Sequence, residues 1–157
     1  MRTLGLLLST AGLAGAGFVL PVTAQAAPSP VTSTKANCGG VKIISAAPVR
    51  RNWGSNAAVG SIQLKRDACS NYWAEVIAYD KVVKFTKFKA FLLRYRGNDK
   101  IGTNLSCEVP AGSARTCATA SVSDPNGGLT FLAIGNEYNG SNNGWASVSK
   151  GQTAKVR

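Results

Sequence analysis

The chain has no histidine, which removes most familiar hydrolytic chemistry before any element is placed. Ser-His-Asp and Cys-His nucleophilic sites need an imidazole to move the proton, as do nucleases that use histidine as general acid or base. Imidazole-based metal sites go with them. Carboxylates remain for acid–base work: Asp67, Glu75, Asp80, Asp99, Glu108, Asp124 and Glu137. They are scattered, with no spacing that marks a paired acid and base. Against 18 lysines and arginines, these 7 acids read first as ion-pair partners. The expectation is a non-enzymatic protein with no catalytic residue, no cofactor and no metal. A carboxylate hydrolase using Glu75 or Glu137 is the minor alternative.

Cys38, Cys69, Cys107 and Cys117 are the next reactive groups. Zinc would need closely spaced pairs such as C-x-x-C, or histidines, and the chain offers neither. An even count in an exported chain points to two disulfides, for which four cysteines allow three connectivities. "CEVPAGSARTC" carries a Pro-Ala-Gly turn that can bring its ends together. That favours Cys107 with Cys117 and leaves Cys38 with Cys69.

The third candidate is charge. The formal net charge is +11, and "KVVKFTKFKAFLLRYRGNDK" (81–100) holds seven basic residues, one acid and four aromatics. Its lysines first have an architectural reading, because edge lysines block strand-to-strand aggregation. Beyond that, Lys84, Lys87, Lys89, Arg94 and Arg96 are the candidate contacts for an anionic partner, either a cell-wall polymer or a membrane surface. Nucleic acid is the weaker expectation, although cations and rings suit phosphates and bases. About six phosphate contacts would lose roughly a thousandfold in affinity between 50 and 200 mM salt. Trp53 and Trp145 lie beside Gly/Asn loops and are candidate carbohydrate contacts, whereas Trp73 sits in a dense apolar run and reads as core.

These groups need a scaffold, and the first segment is not part of it. Arg2, the apolar run "LGLLLSTAGLAGAGFVL" and "Ala24-Gln25-Ala26" form a signal peptide over 1–26, so a secreted, extracellular product is expected. Cleavage there removes one positive charge. No later run of eighteen apolar residues follows, so no transmembrane segment is expected in the mature chain. "APSPVTSTKAN" (27–37) has little to bury and reads as a flexible leader. Residues 38–157 then make a single domain.

That domain reads as strands. "VKIIS" (41–45) is β-branched and stops before Pro48, and "RRNWGSN" (50–56) has loop composition. "GSIQLKR" (60–66) alternates with period two, and "NYWAEVIAYD" (71–80) puts Tyr72, Ala74, Val76 and Ala78 on one face. "ATASV" (118–122), "LTFLAIG" (129–135) and "WASVS" (145–149) are further strands, with a turn at "DPNGG" (124–128) and a polar loop at "NEYNGSNNG" (136–144). In the basic segment Phe85, Phe88, Leu92 and Tyr95 are spaced three, four, three, which is also a helical stripe. The β-formers Val82, Val83, Phe85, Thr86 and Phe88 favour a connection or edge over 81–88 and a strand over 89–97, with the helix left as the alternative. Short strands with Gly/Asn punctuation give an all-β class: a small disulfide-stapled β-sandwich or barrel.

"GSIQLKRDACSNYWAEV" (60–76) resembles the YjfA-like family of small secreted bacterial proteins, the matching positions being Ile62, Leu64, Cys69, Trp73 and Ala74. The resemblance implies an exported, disulfide-linked β domain of unassigned activity and transfers no catalytic residue. The sequence therefore points to a secreted binding or surface-associated protein with a basic face. The alternative class is an antagonist, inhibitor or antimicrobial, that presents the 136–144 or 108–116 loop or uses its charge on target membranes.

Overall fold

The computed structural model describes residues 38–157, apart from 55, 81, 84, 110, 113, 142 and 143. The expected signal peptide and leader, and Lys84 among the candidate contacts, lie outside the described residues.

Ten strands and no helix make up the described chain. They are β1 (Lys42–Arg51), β2 (Ala58–Arg66), β3 (Asn71–Ala78), β4 (Thr86–Arg96), β5 (Asp99–Lys100), β6 (Leu105–Val109), β7 (Thr116–Ala118), β8 (Val122–Ser123), β9 (Thr130–Ser141) and β10 (Gly144–Gln152). All pair antiparallel in one sheet of order β5-β4-β9-β10-β1-β2-β3-β7, with β6 also on β4 and β8 also on β3. The sheet curls into a half-barrel whose inner face is the core.

Alternation decides what goes inside. Ile62 and Leu64 of β2, Tyr72, Ala74 and Val76 of β3, and Phe88, Ala90 and Leu92 of β4 are all buried, as a period of two requires of a sheet with one apolar face. Phe131 of β9 lies at the centre, fully buried, its ring stacked on Tyr72 with centroids 4.1 Å apart. The curl brings β9 close to β1 and β2 at Gly135, where a Cβ would come within 2.9 Å of Ile62 and Val49.

The two disulfides are Cys38–Cys69 and Cys107–Cys117. The second has a specific place in the curl. Cys107 pairs with Ala90 of β4 through β6, and Cys117 pairs with Val76 of β3 through β7. Since β4 and β3 lie toward opposite margins of the sheet, this bridge links one margin to the other. The first bridge fastens the start of the described chain to the β2–β3 turn.

The strands differ from expectation in four places, the first being that the expected strand 118–122 is split between β7, which ends at Ala118, and β8, which starts at Val122. β1 does not stop before Pro48 but runs through to Arg51. Pro48 pairs with Ser61 of β2, while the β10 ladder reaches only Arg50 and Arg51. Proline thus sits on a stretch with one neighbour, an edge-like position where a missing N–H is tolerated. The basic segment is one strand from Thr86, not a connection as far as residue 88, and the helical stripe does not form: Phe88 and Leu92 point in, and Phe85 precedes the strand with φ of 65°. The stretch 136–144 is not a loop. It carries β9 to Ser141 and opens β10 at Gly144, so β9 and β10 make a long hairpin. Its polar residues divide between the two faces of the strand, Asn136 and Tyr138 outward and Glu137 inward and buried, so their composition carries no apolar alternation.

Candidate functional site

Most of the acids have structural roles. Buried Asp67 orders the β2–β3 turn, its Oδ1 accepting from the backbone N–H groups of Cys69 and Asn71 at 2.9 Å each. Asp124 does the same for the turn before β9, accepting from the N–H groups of Gly128 and Leu129. Glu75 pairs with Lys65 at 2.7 Å. Glu75 and Glu137 do not form a pair: Glu75 is half-buried on the outward side of β3, and Glu137 is buried on the inward side of β9.

Strand alternation divides the basic contacts. Arg94 and Arg96 fall on the side of β4 that holds Phe88, Ala90 and Leu92, beyond the end of the core. Arg94 donates from Nη2 to the carbonyl of Thr103 at 3.0 Å. Lys87 and Lys89 fall on the outer side, where both face Glu108 of the neighbouring β6, at 3.4 and 3.0 Å. These ammonium groups hold the Glu108 carboxyl below the usual carboxylate range. The Lys89 hydrogen bond is the largest cause, partly opposed by burial.

Register extends the outer basic face beyond β4. Lys89 sits opposite Asn136 of β9, Asn136 opposite Lys150 of β10, and Lys150 opposite Arg50 of β1. Lys150 lies between buried Ser149 and Gly151, and Arg50 follows buried Val49, so both side chains point outward. With strands about 4.8 Å apart, the row from Lys89 to Arg50 spans roughly 14 Å. Lys87 lies one outward position from Lys89 and its ammonium is 4.0 Å from the centroid of the Trp145 ring. That ring lies across Gly140, where a Cβ would meet it at 3.0 Å. Glycine on β9 therefore makes room for the indole, and the indole fixes the lysine. Lys150 and Arg50 were missed from sequence because only the hairpin register brings them beside β4.

The two tryptophans are both exposed. Trp145, 50% exposed, lies on the outer face, and Trp53, 62% exposed, lines a hollow at one end of the half-barrel.

At that end β1 and β3 finish and β2 and β4 begin. Two hollows of about 230 and 190 Å³ share Arg51 and Glu137. Glu137 is 9% exposed, and its Oε2 accepts from the hydroxyl of fully buried Ser149. Among the described residues no cation lies within ion-pair distance of it. Asp80, Val82 and Val83 line the larger hollow, and Trp53, Asn139 and Val148 the smaller. Among the described residues no three His, Cys, Asp or Glu side chains gather as a metal site, and no helix is long and apolar enough to cross a membrane.

No family model, curated protein or solved structure matches the chain.

Proposed function

We propose that this protein is an exported, non-enzymatic binding module that holds an anionic cell-wall polymer on the outer face of β4, β9, β10 and β1. The carrying observation is the cross-strand row of Lys89, Lys150 and Arg50, flanked by Lys87 on Trp145. Against these four cations the face sets one acid, Glu108. Cations spaced about one strand-pair apart on a rigid sheet suit a chain of repeated negative charges, and a polymer gains from several weak contacts at once. Exposed apolar groups also lie close to this row, Trp145 on it and Phe85 beside it, the Phe85 carbonyl accepting from the Gly140 N–H at 2.7 Å, so a lipid surface is the competing partner that the vesicle test below separates from a wall polymer. Export is supported by the signal-like segment 1–26 and by two disulfides, which persist in oxidising compartments. The resemblance of 60–76 to exported YjfA-like proteins agrees with it.

Retention on isolated cell walls and on dextran sulfate, with neutral dextran as control, tests the reading. The protein should elute with added salt from both anionic supports and pass through dextran. Lys89→Glu with Lys150→Glu should weaken retention about tenfold or more at low salt, while Arg94→Gln with Arg96→Gln leaves it within about twofold. Equal losses from both pairs would mean diffuse charge rather than this face. Binding to anionic phosphatidylglycerol vesicles that depends on Phe85, without binding to walls, would replace the polymer with a membrane.

A further inference from the structure

We infer that the end of the half-barrel is a second binding site, independent of the basic face, for a primary ammonium or guanidinium group on a short aliphatic stem. The polar anchor is Glu137. It projects from β9 into the shared hollows, nine-tenths buried, with one carboxylate oxygen fixed by Ser149. A buried carboxylate is expensive to keep charged unless a partner offsets its lost hydration. The chain carries 18 lysines and arginines, yet none of the described ones makes an ion pair with Glu137. Among the described residues the lining contributes Glu137, Asp80 and Arg51, a formal charge of one negative within a chain of +11. That sign is opposite to the surface around it and matches a single cationic head.

The walls select the rest of the ligand. Val59, Val82 and Val83 on one side and Val148 on the other offer apolar contact for a few methylene groups. Trp53 at the rim gives an aromatic face that attracts a cation as it enters. Hollows of about 230 and 190 Å³ are of a size to admit a side-chain-sized group. The ligand class is thus an amine such as a free lysine side chain or a short alkylamine.

Titration of the purified, disulfide-bonded protein with n-butylamine, followed by Trp fluorescence and by amide NMR shifts, tests this. The expected result is saturable binding, with shifts at β9 near Glu137 and at Trp53, and none with butyrate or butanol. Glu137→Gln should weaken binding about tenfold to a hundredfold, the range for losing a hydrogen bond to a charged group. Glu75→Gln, whose carboxylate pairs with Lys65 on β3, should bind as the parent does. Near-UV circular dichroism of each variant checks that the core is intact, and Asn139→Asp, which adds a second anion to the lining of the smaller hollow, should tighten binding. Butyrate binding as well as butylamine, or Glu137→Gln binding butylamine unchanged, would overturn the inference. So would the absence of any saturable shift in the parent. Dextran sulfate retention should be the same with and without butylamine, which separates this site from the basic face.

Discussion

The two faces of β4 and β9 are made by the same strands and do opposite things. Inward, Phe88, Ala90, Leu92, Phe131 and Ala133 are buried in one apolar layer that closes on β2 and β3. Outward, Lys87, Lys89, Asn136 and Tyr138 carry charge and hydrogen-bonding groups across the same register. The inner face gains from every contact it makes and tolerates no vacancy. The outer face gains little from its ion pairs, which are half-exposed and screened, so its residues are free to be set by a partner. The difference teaches that stability and binding can be altered separately here, one residue apart along one strand.

The sharpest way to break that separation is to open the inner face. Phe131→Ala removes a fully buried ring stacked on Tyr72. It should lower unfolding free energy by about 3–5 kcal/mol, measured by denaturant titration. The folded fraction should keep its salt-dependent retention on dextran sulfate. Loss of retention at a denaturant-free temperature where the variant is still folded would show that the two faces are coupled.

A smaller effect should come from the seam between the margins. Cys107→Ser with Cys117→Ser opens a bridge of sequence separation 10, worth about 3 kcal/mol in the chain-entropy model. No ladder joins β6 to β7 among the described residues, so amide exchange should quicken first there and in β3 next to β7, while β9 and β10 stay protected. Uniform loss of protection would mean that the bridge supports the whole curl and not one seam.

The inner face was the legible part of the sequence. Period-two burial in "GSIQLKR" and "NYWAEVIAYD" comes out as β2 and β3, with Tyr72, Ala74, Val76 and Ala78 buried together, because apolar alternation has one physical cause. Cys107–Cys117 was legible for a local reason, a turn between two nearby cysteines. The outer face was not legible in the same way. "NEYNGSNNG" has the composition of a loop, yet Gly140 is needed in a strand so that Trp145 can cross it. The basic residues of 84–96 looked like one group because charge was counted along the chain, whereas alternation sends Lys87 and Lys89 one way and Arg94 and Arg96 the other. Lys150 and Arg50 join the row through a register that no short stretch encodes. The hollow around Glu137 is built from strand ends far apart in sequence and left no local pattern.

The finest test of the outer face is Glu108, which neutralises part of it. Its folded pKa is depressed, chiefly by the Lys89 hydrogen bond. Such a group adds stability above its unfolded pKa, and that stability is lost as pH falls through the depressed folded value. With its side chain 41% exposed the stability share is small and screened by salt. Binding should respond with the opposite sign. Protonating Glu108 releases Lys87 and Lys89 from their shared carboxylate, so retention on dextran sulfate, a strong-acid polymer that keeps its charge, should rise as pH drops below the carboxylate range. Glu108→Gln should raise retention by roughly two- to fivefold at neutral pH and low salt and remove that part of the pH response. A variant that binds less tightly than the parent would mean Glu108 orients the lysines more than it masks them. The polymer would then be recognised by their geometry and not by their charge alone.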